Sequence, residues 1–136
     1  LYAWKQRADY VRMDREAARL LKEEKKTMEE GLIKPGENGL PMLLELGAET
    51  CVPCRQMKPI LEALREEYKG RITVQVVDVY AHPDWADRYK IYAIPTQIFF
   101  DAKGKEFFRH IGFFPRREIV AKFREFGWIE HEISNE

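Results

Sequence analysis

The 136-residue sequence predicts an α/β domain. It has a mixed four-stranded sheet in the order βαβ-α-ββα, helices on both faces, and an extra long N-terminal helix in front. Three observations predict it. Apolar, β-rich runs recur at residues 42–46, 72–79, 96–100 and 106–111. The stretch between the first two runs carries apolar residues at helical spacing, so those strands are parallel with a right-handed crossover. The last two runs flank Asp101-Ala102-Lys103-Gly104, a turn sequence that makes them an antiparallel hairpin.

Each element has its own signal. Residues 1–31 are charge-dense and almost free of helix breakers. Trp4, Ala8, Val11, Ala18, Leu21 and Met28 fall near one helical stripe. Arg12–Glu16, Arg19–Glu23, Lys25–Glu29 and Lys26–Glu30 are opposite charges one turn apart. Two readings stand: a helix packed on the domain by its thin stripe, or, at least at its first ten residues, the stalk of a membrane anchor. Pro35, Gly36, Asn38, Gly39 and Pro41 make residues 34–41 a loop. A buried strand follows at 42–46, then a helix over 52–68 with Met57, Ile60, Leu61 and Leu64 facing in. After the 72–79 strand, residues 83–89 form a short helix. Residues 115–126 close the fold, with Ile119, Val120, Phe123 and Phe126 facing in. The domain proper therefore covers residues 40–130.

Composition narrows the function. Apolar residues make up 45% of the chain, enough for a packed core. Basic and acidic side chains balance at 23 each, which argues against a nucleic-acid partner. Two cysteines exclude a disulfide-dense scaffold and a four-cysteine zinc site. No run of 18 apolar residues suggests a membrane span. The chain starts at Leu1, so an upstream signal or membrane tether is compatible with it.

The chemistry concentrates at Cys51-Val52-Pro53-Cys54, where the first strand meets the first long helix. A helix N-terminus offers unpaired N–H groups and the positive end of the dipole, and both favour a thiolate at Cys51. The thiolate is the attacking species in disulfide exchange. Pro53 suits the first helical turn. Cys54, one turn in, is expected to be the more buried sulfur and to resolve the mixed disulfide. Two other readings are open: a purely structural disulfide, which closes a tiny loop and stabilises little, and a metal site. His82, His110 and His131 have no shared metal spacing with the cysteines.

The sequence resembles the thioredoxin family over residues 40–128. The matching segments, in order, are Glu-Thr-Cys-Val-Pro-Cys-Arg-Gln-Met-Lys-Pro at 49–59, Val-Val-Asp-Val at 76–79, and Tyr-Ala-Ile-Pro-Thr at 92–96. Gly104 and Gly112 complete the set. The resemblance implies the thioredoxin fold and a cis Ile94–Pro95 bond beside the dithiol. It also implies pairing of an extended substrate segment with the backbone there, flanked by Ile94 and Thr96. Thr50, Val52 and Pro53 are the expected substrate contacts on the other side.

Two departures matter. Thr50 stands where thioredoxins usually carry a Trp. Glu45 stands where the family's buried acid is usually Asp, and Val76 where a Lys often pairs with that acid. A buried carboxyl has a raised pKa, which suits a proton acceptor near neutrality. Glu45 is therefore expected to take the proton of Cys54, directly or through water; the other reading is a strand residue whose carboxylate reaches solvent or a hydrogen-bond partner. Arg55 and Lys58 are read as solvated residues of the helix. The phenylalanines at 99, 100, 107, 108, 113 and 114 are read mostly as sheet core, with one of Phe113 and Phe114 exposed near a substrate groove. His82 and His110 are read as surface or capping residues.

The expected function is thiol–disulfide oxidoreduction, in the direction that reduces protein disulfides, because Pro53 is the proline of reducing thioredoxins. No cofactor is expected beyond the redox-active pair itself, since no Gly-rich phosphate loop occurs. Electrons then arrive from a reducing partner protein or a membrane electron donor. The resemblance to tethered bacterial proteins points to an extracytoplasmic site, with the cytoplasm as the alternative. The rival functions are a disulfide-donating oxidant, a copper chaperone of the same fold, and a non-catalytic peptide-binding module.

Overall fold

The computed structural model describes residues 31–130, together with Glu16 and Arg19. Glu16 and Arg19 are helical and exposed, and Gly31 lies in a turn; the rest of the leading helix expected over residues 1–31 lies outside the described residues. The elements are β1 (Met42–Gly47), α1 (Val52–Glu67), β2 (Thr73–Asp78), α2 (Pro83–Arg88), β3 (Thr96–Phe100), β4 (Glu106–Ile111) and α3 (Arg116–Glu125). The sheet order is β2-β1-β3-β4. β1 runs parallel to β2 and antiparallel to β3, and β4 is antiparallel to β3. Every expected strand and helix of the domain is present, with ends within two residues of expectation.

Position in the sheet explains composition. β1 is central and covered on both faces, so all six of its residues are buried and it reads as an apolar run interrupted by Glu45. One face packs Leu43, Val74 and Phe99 against Met57, Leu61 and Leu64 of α1 and Ile119, Val120 and Phe123 of α3. The other packs Leu44, Leu46, Val77 and Ile98 with Trp85 and Ala86 of α2. Phe99 anchors the first core, with edge-to-face contacts to Phe108, Phe114, Phe123 and Phe126.

The segment before the domain is tied to β2 by a side chain, and its Leu32 and Ile33 pack on the core at the α2 face. Gln75 accepts from the Ile33 N–H at 2.8 Å and donates to its carbonyl at 2.7 Å, copying a strand neighbour with a side chain. The 34–41 loop is pinned to the β3–β4 hairpin by two glycines. A Cβ on Gly36 would lie 2.7 Å from the Lys103 carbonyl oxygen, and one on Gly104 would lie 2.6 Å from that of Pro35. Both have positive φ, +84° and +87°.

Three side chains depart from expectation. Phe107 is exposed rather than core, because β4 is an edge strand; its ring rests on Phe126 and Trp128. His82 occupies the N-cap position of α2 but is buried rather than at the surface. Its backbone is bonded into the β2–α2 connection, accepting from Trp85 and donating to Asp78. His110 is half-buried within β4, because its ring lies against Phe114.

Candidate active site

Cys51 is the N-cap of α1. Its Sγ accepts from the Cys54 backbone N–H at 3.4 Å, satisfying one of the donors a helix start leaves open. Pro53 falls in the first turn, where its missing N–H costs nothing. Cys51 and Cys54 form a disulfide. The Ile94 carbonyl oxygen lies 3.8 Å from Cys51 Sγ, and the Ile94–Pro95 peptide bond is cis. The Pro95 carbonyl accepts from the Gly112 N–H at 2.8 Å, which ties this loop to the end of β4. Thr96 Oγ1 donates to the Ala93 carbonyl at 2.7 Å.

The fold thus brings Cys51, Cys54, Ile94 and Pro95 together. Ile94 and Thr96 bury their side chains, and Ile94 faces Cys51 with its carbonyl. Thr50 and Val52 are exposed and Pro53 is half-buried. Of the two candidate aromatics, Phe113 is exposed and Phe114 is buried. Tyr92, 71% exposed on the segment leading to Pro95, was not singled out from the sequence.

The expected order of burial is reversed. Cys51 is fully covered and Cys54 is 8% exposed. The Ile94 loop caps Cys51, whereas Cys54 borders a cavity of about 200 Å³ behind the dithiol. Glu45, Gly47 and Val76 line the same cavity from the sheet, and Arg55 and Lys58 line it from α1. Gly47 leaves room for the sulfur: a Cβ there would sit 3.0 Å from Cys54 Sγ.

Glu45 is 2% exposed. Burial pushes its pKa up from 4.5 to about 8, while a hydrogen bond from Gln97 pulls the other way. Gln97 Nε2 donates to Glu45 Oε1 at 2.7 Å and to the Gly112 carbonyl at 3.1 Å. Gln97 Oε1 is 2.8 Å from His110 Nδ1. Burial lowers the His110 pKa, against the pull of Glu118 and of the Gly112 backbone. Val76 is the β2 partner of Glu45 in register, so no lysine faces the acid from that strand. Gln97 was missed in the sequence. Its signal was a long polar side chain directly before the apolar run Ile98–Phe100, a weaker form of the signal that marked Glu45.

A disulfide at a helix N-terminus, with a buried glutamate lining the cavity that its second cysteine borders, can accept and donate two electrons by thiol–disulfide exchange. The thioredoxin family model matches residues 20–125. Thioredoxin of Alicyclobacillus acidocaldarius is 32% identical over 85 residues, 62% of this chain and 80% of the relative. Thioredoxin C-2 of Corynebacterium nephridii is 35% identical over 60% of this chain and 74% of its own length. Thioredoxin of Rickettsia bellii is 27% identical over 79% of this chain and 93% of its own. The chain belongs to the thioredoxin family, as a thiol–disulfide oxidoreductase whose redox pair is Cys51–Cys54.

Proposed function

We propose that this protein reduces disulfides in protein substrates. The Cys51 thiolate attacks a substrate disulfide, forms a mixed disulfide and releases one substrate thiolate. The Cys54 thiol then gives its proton to the Glu45 carboxylate and attacks Cys51 Sγ. The Cys51–Cys54 bond forms, the bond to the substrate breaks, and the electron pair leaves on the second substrate sulfur. Two electrons have passed to the substrate. A dithiol protein or a membrane electron donor resets the pair, and no further cofactor takes part.

The observation that supports this direction is the Glu45 carboxyl in the cavity that Cys54 borders. A reductant depends on the resolving step, and an acceptor behind the resolving thiol serves that step. The substrate segment lies along the backbone at Ile94, Pro95 and Thr96, with Thr50, Val52 and Pro53 on the other side. Exposed Val52, Tyr92 and Phe113 supply apolar contact.

Reduction of insulin disulfides, with dithiothreitol as electron source, tests the reading. The parent protein accelerates the reaction, Cys51→Ser falls to background, and Cys54→Ser accumulates a mixed disulfide visible on a non-reducing gel. Turnover by Cys54→Ser at the parental rate would contradict it.

A further inference from the structure

The polar chain does not stop at Glu45. Val76, Glu45, Gln97 and His110 are register partners across all four strands, forming one row on the sheet face that carries α1 and α3. Gln97 is completely buried. A buried amide has to satisfy both its oxygen and its nitrogen. The Gly112 carbonyl can only accept, so the amide nitrogen must face it, and Oε1 is left facing His110. The His110 ring nitrogen is therefore the donor, and Nδ1 carries the hydrogen. Protonation of the ring keeps that N–H in place. The ring lies flat on buried Phe114, with centroids 4.0 Å apart and planes 9° apart, so its plane is held.

We propose that Gln97 and His110 are positioning residues for proton transfer at Glu45. His110 locks the Gln97 amide, and the amide holds Glu45 Oε1, leaving Oε2 to take the proton. The inference rests on Glu45 being the proton acceptor of Cys54. In that step the Cys54 S–H bond breaks, an O–H bond forms on Glu45, and Cys54 sulfur bonds Cys51 as the substrate sulfur leaves. Losing the Gln97 bond removes a contact that favours the carboxylate, so the proton affinity of Glu45 rises. Other charges border the same cavity: Arg55, Lys58, Glu62 and Arg65 of α1, Glu49 after β1, and Asp78 of β2. Glu118 of α3 acts on His110. All of these remain in every variant below, so differences among variants isolate the couple.

The test has two readouts. One is the pH titration of the Glu45 carboxyl carbon by NMR in the oxidised protein, where the cysteines do not titrate. The other is the pH profile of the resolving step, by stopped flow on a preformed mixed disulfide. Gln97→Leu moves both midpoints up by about one on the pH scale, a tenfold change in proton affinity. His110→Phe keeps the ring on Phe114, loses the N–H, and moves both midpoints the same way by less. His110→Asn, whose amide nitrogen can replace Nδ1, restores the parental values. His110→Phe carries the test alone if Gln97→Leu does not fold. Midpoints unmoved in both variants overturn the proposal. A carboxyl midpoint that moves while the rate profile stays fixed, in Glu45→Gln as well, removes Glu45 as the acceptor and the proposal with it.

Discussion

Replacing Glu45 with Gln should stabilise the folded protein, and the gain should grow with pH. The carboxyl titrates at about 8 in the folded chain, against 4.5 for an ordinary glutamate. The folded state therefore holds a proton that the unfolded state has already released. Stability falls as pH rises between these two values and is level outside them. A tenfold difference in proton affinity is worth about 1.4 kcal/mol. The perturbed carboxyl then costs the fold about 5 kcal/mol above pH 8, where it is ionised, and about 3 kcal/mol at pH 7, where the fold retains its proton. Glutamine matches the shape, keeps an oxygen for the Gln97 amide and never ionises. Urea unfolding of the two oxidised proteins, from pH 4 to pH 9, isolates this group because every other titration cancels in the difference. The stability difference should be flat below pH 4.5, climb with a slope of about 1.4 kcal/mol per pH unit, and level off near pH 8. A difference that does not change with pH would show an ordinary carboxylate and refute the argument from burial.

Two further substitutions probe close approaches. Gly104→Ala should cost about 2 kcal/mol, because it adds a Cβ against the Pro35 backbone at a positive φ; the urea midpoint reads it, and an unchanged midpoint would mean the 34–41 loop is not pinned there. Gly47→Ala should slow the resolving step on a preformed mixed disulfide by about tenfold, because a small misplacement of a reacting group is costly. Its Cβ presses on Cys54 Sγ. A parental rate would mean Cys54 has room to shift.

The elements were legible because local signals set them. Met42–Gly47 reads as a continuous apolar run, and Met57, Leu61 and Leu64 repeat at helical spacing on α1. Glu45 stood out because a charge inside such a run has to be explained. What the sequence hid depends on contacts far along the chain. Cys51 is the more covered cysteine, and Ile94, 43 residues away, brings its carbonyl to 3.8 Å from the Cys51 sulfur. Gln97 meets Glu45 and His110 through strand register, and register is set by the assembled sheet. Neither partner can be assigned from the local pattern of β3 alone. Phe107 looked like core because its composition is that of a buried strand, whereas β4 ends the sheet and none of its residues is fully buried. The loop glycines marked a turn region, but the mutual approach of Gly36 and Gly104 joins two segments that are distant in sequence.

The reduction potential of the Cys51–Cys54 pair tests the proposed direction most directly. Equilibration in dithiothreitol or glutathione buffers, read by trapping free thiols, gives it. A reductant of this kind should lie near thioredoxin's value of about −270 mV. A value near −120 mV, roughly that of the strongest disulfide donors, would make the protein an oxidant and contradict the account.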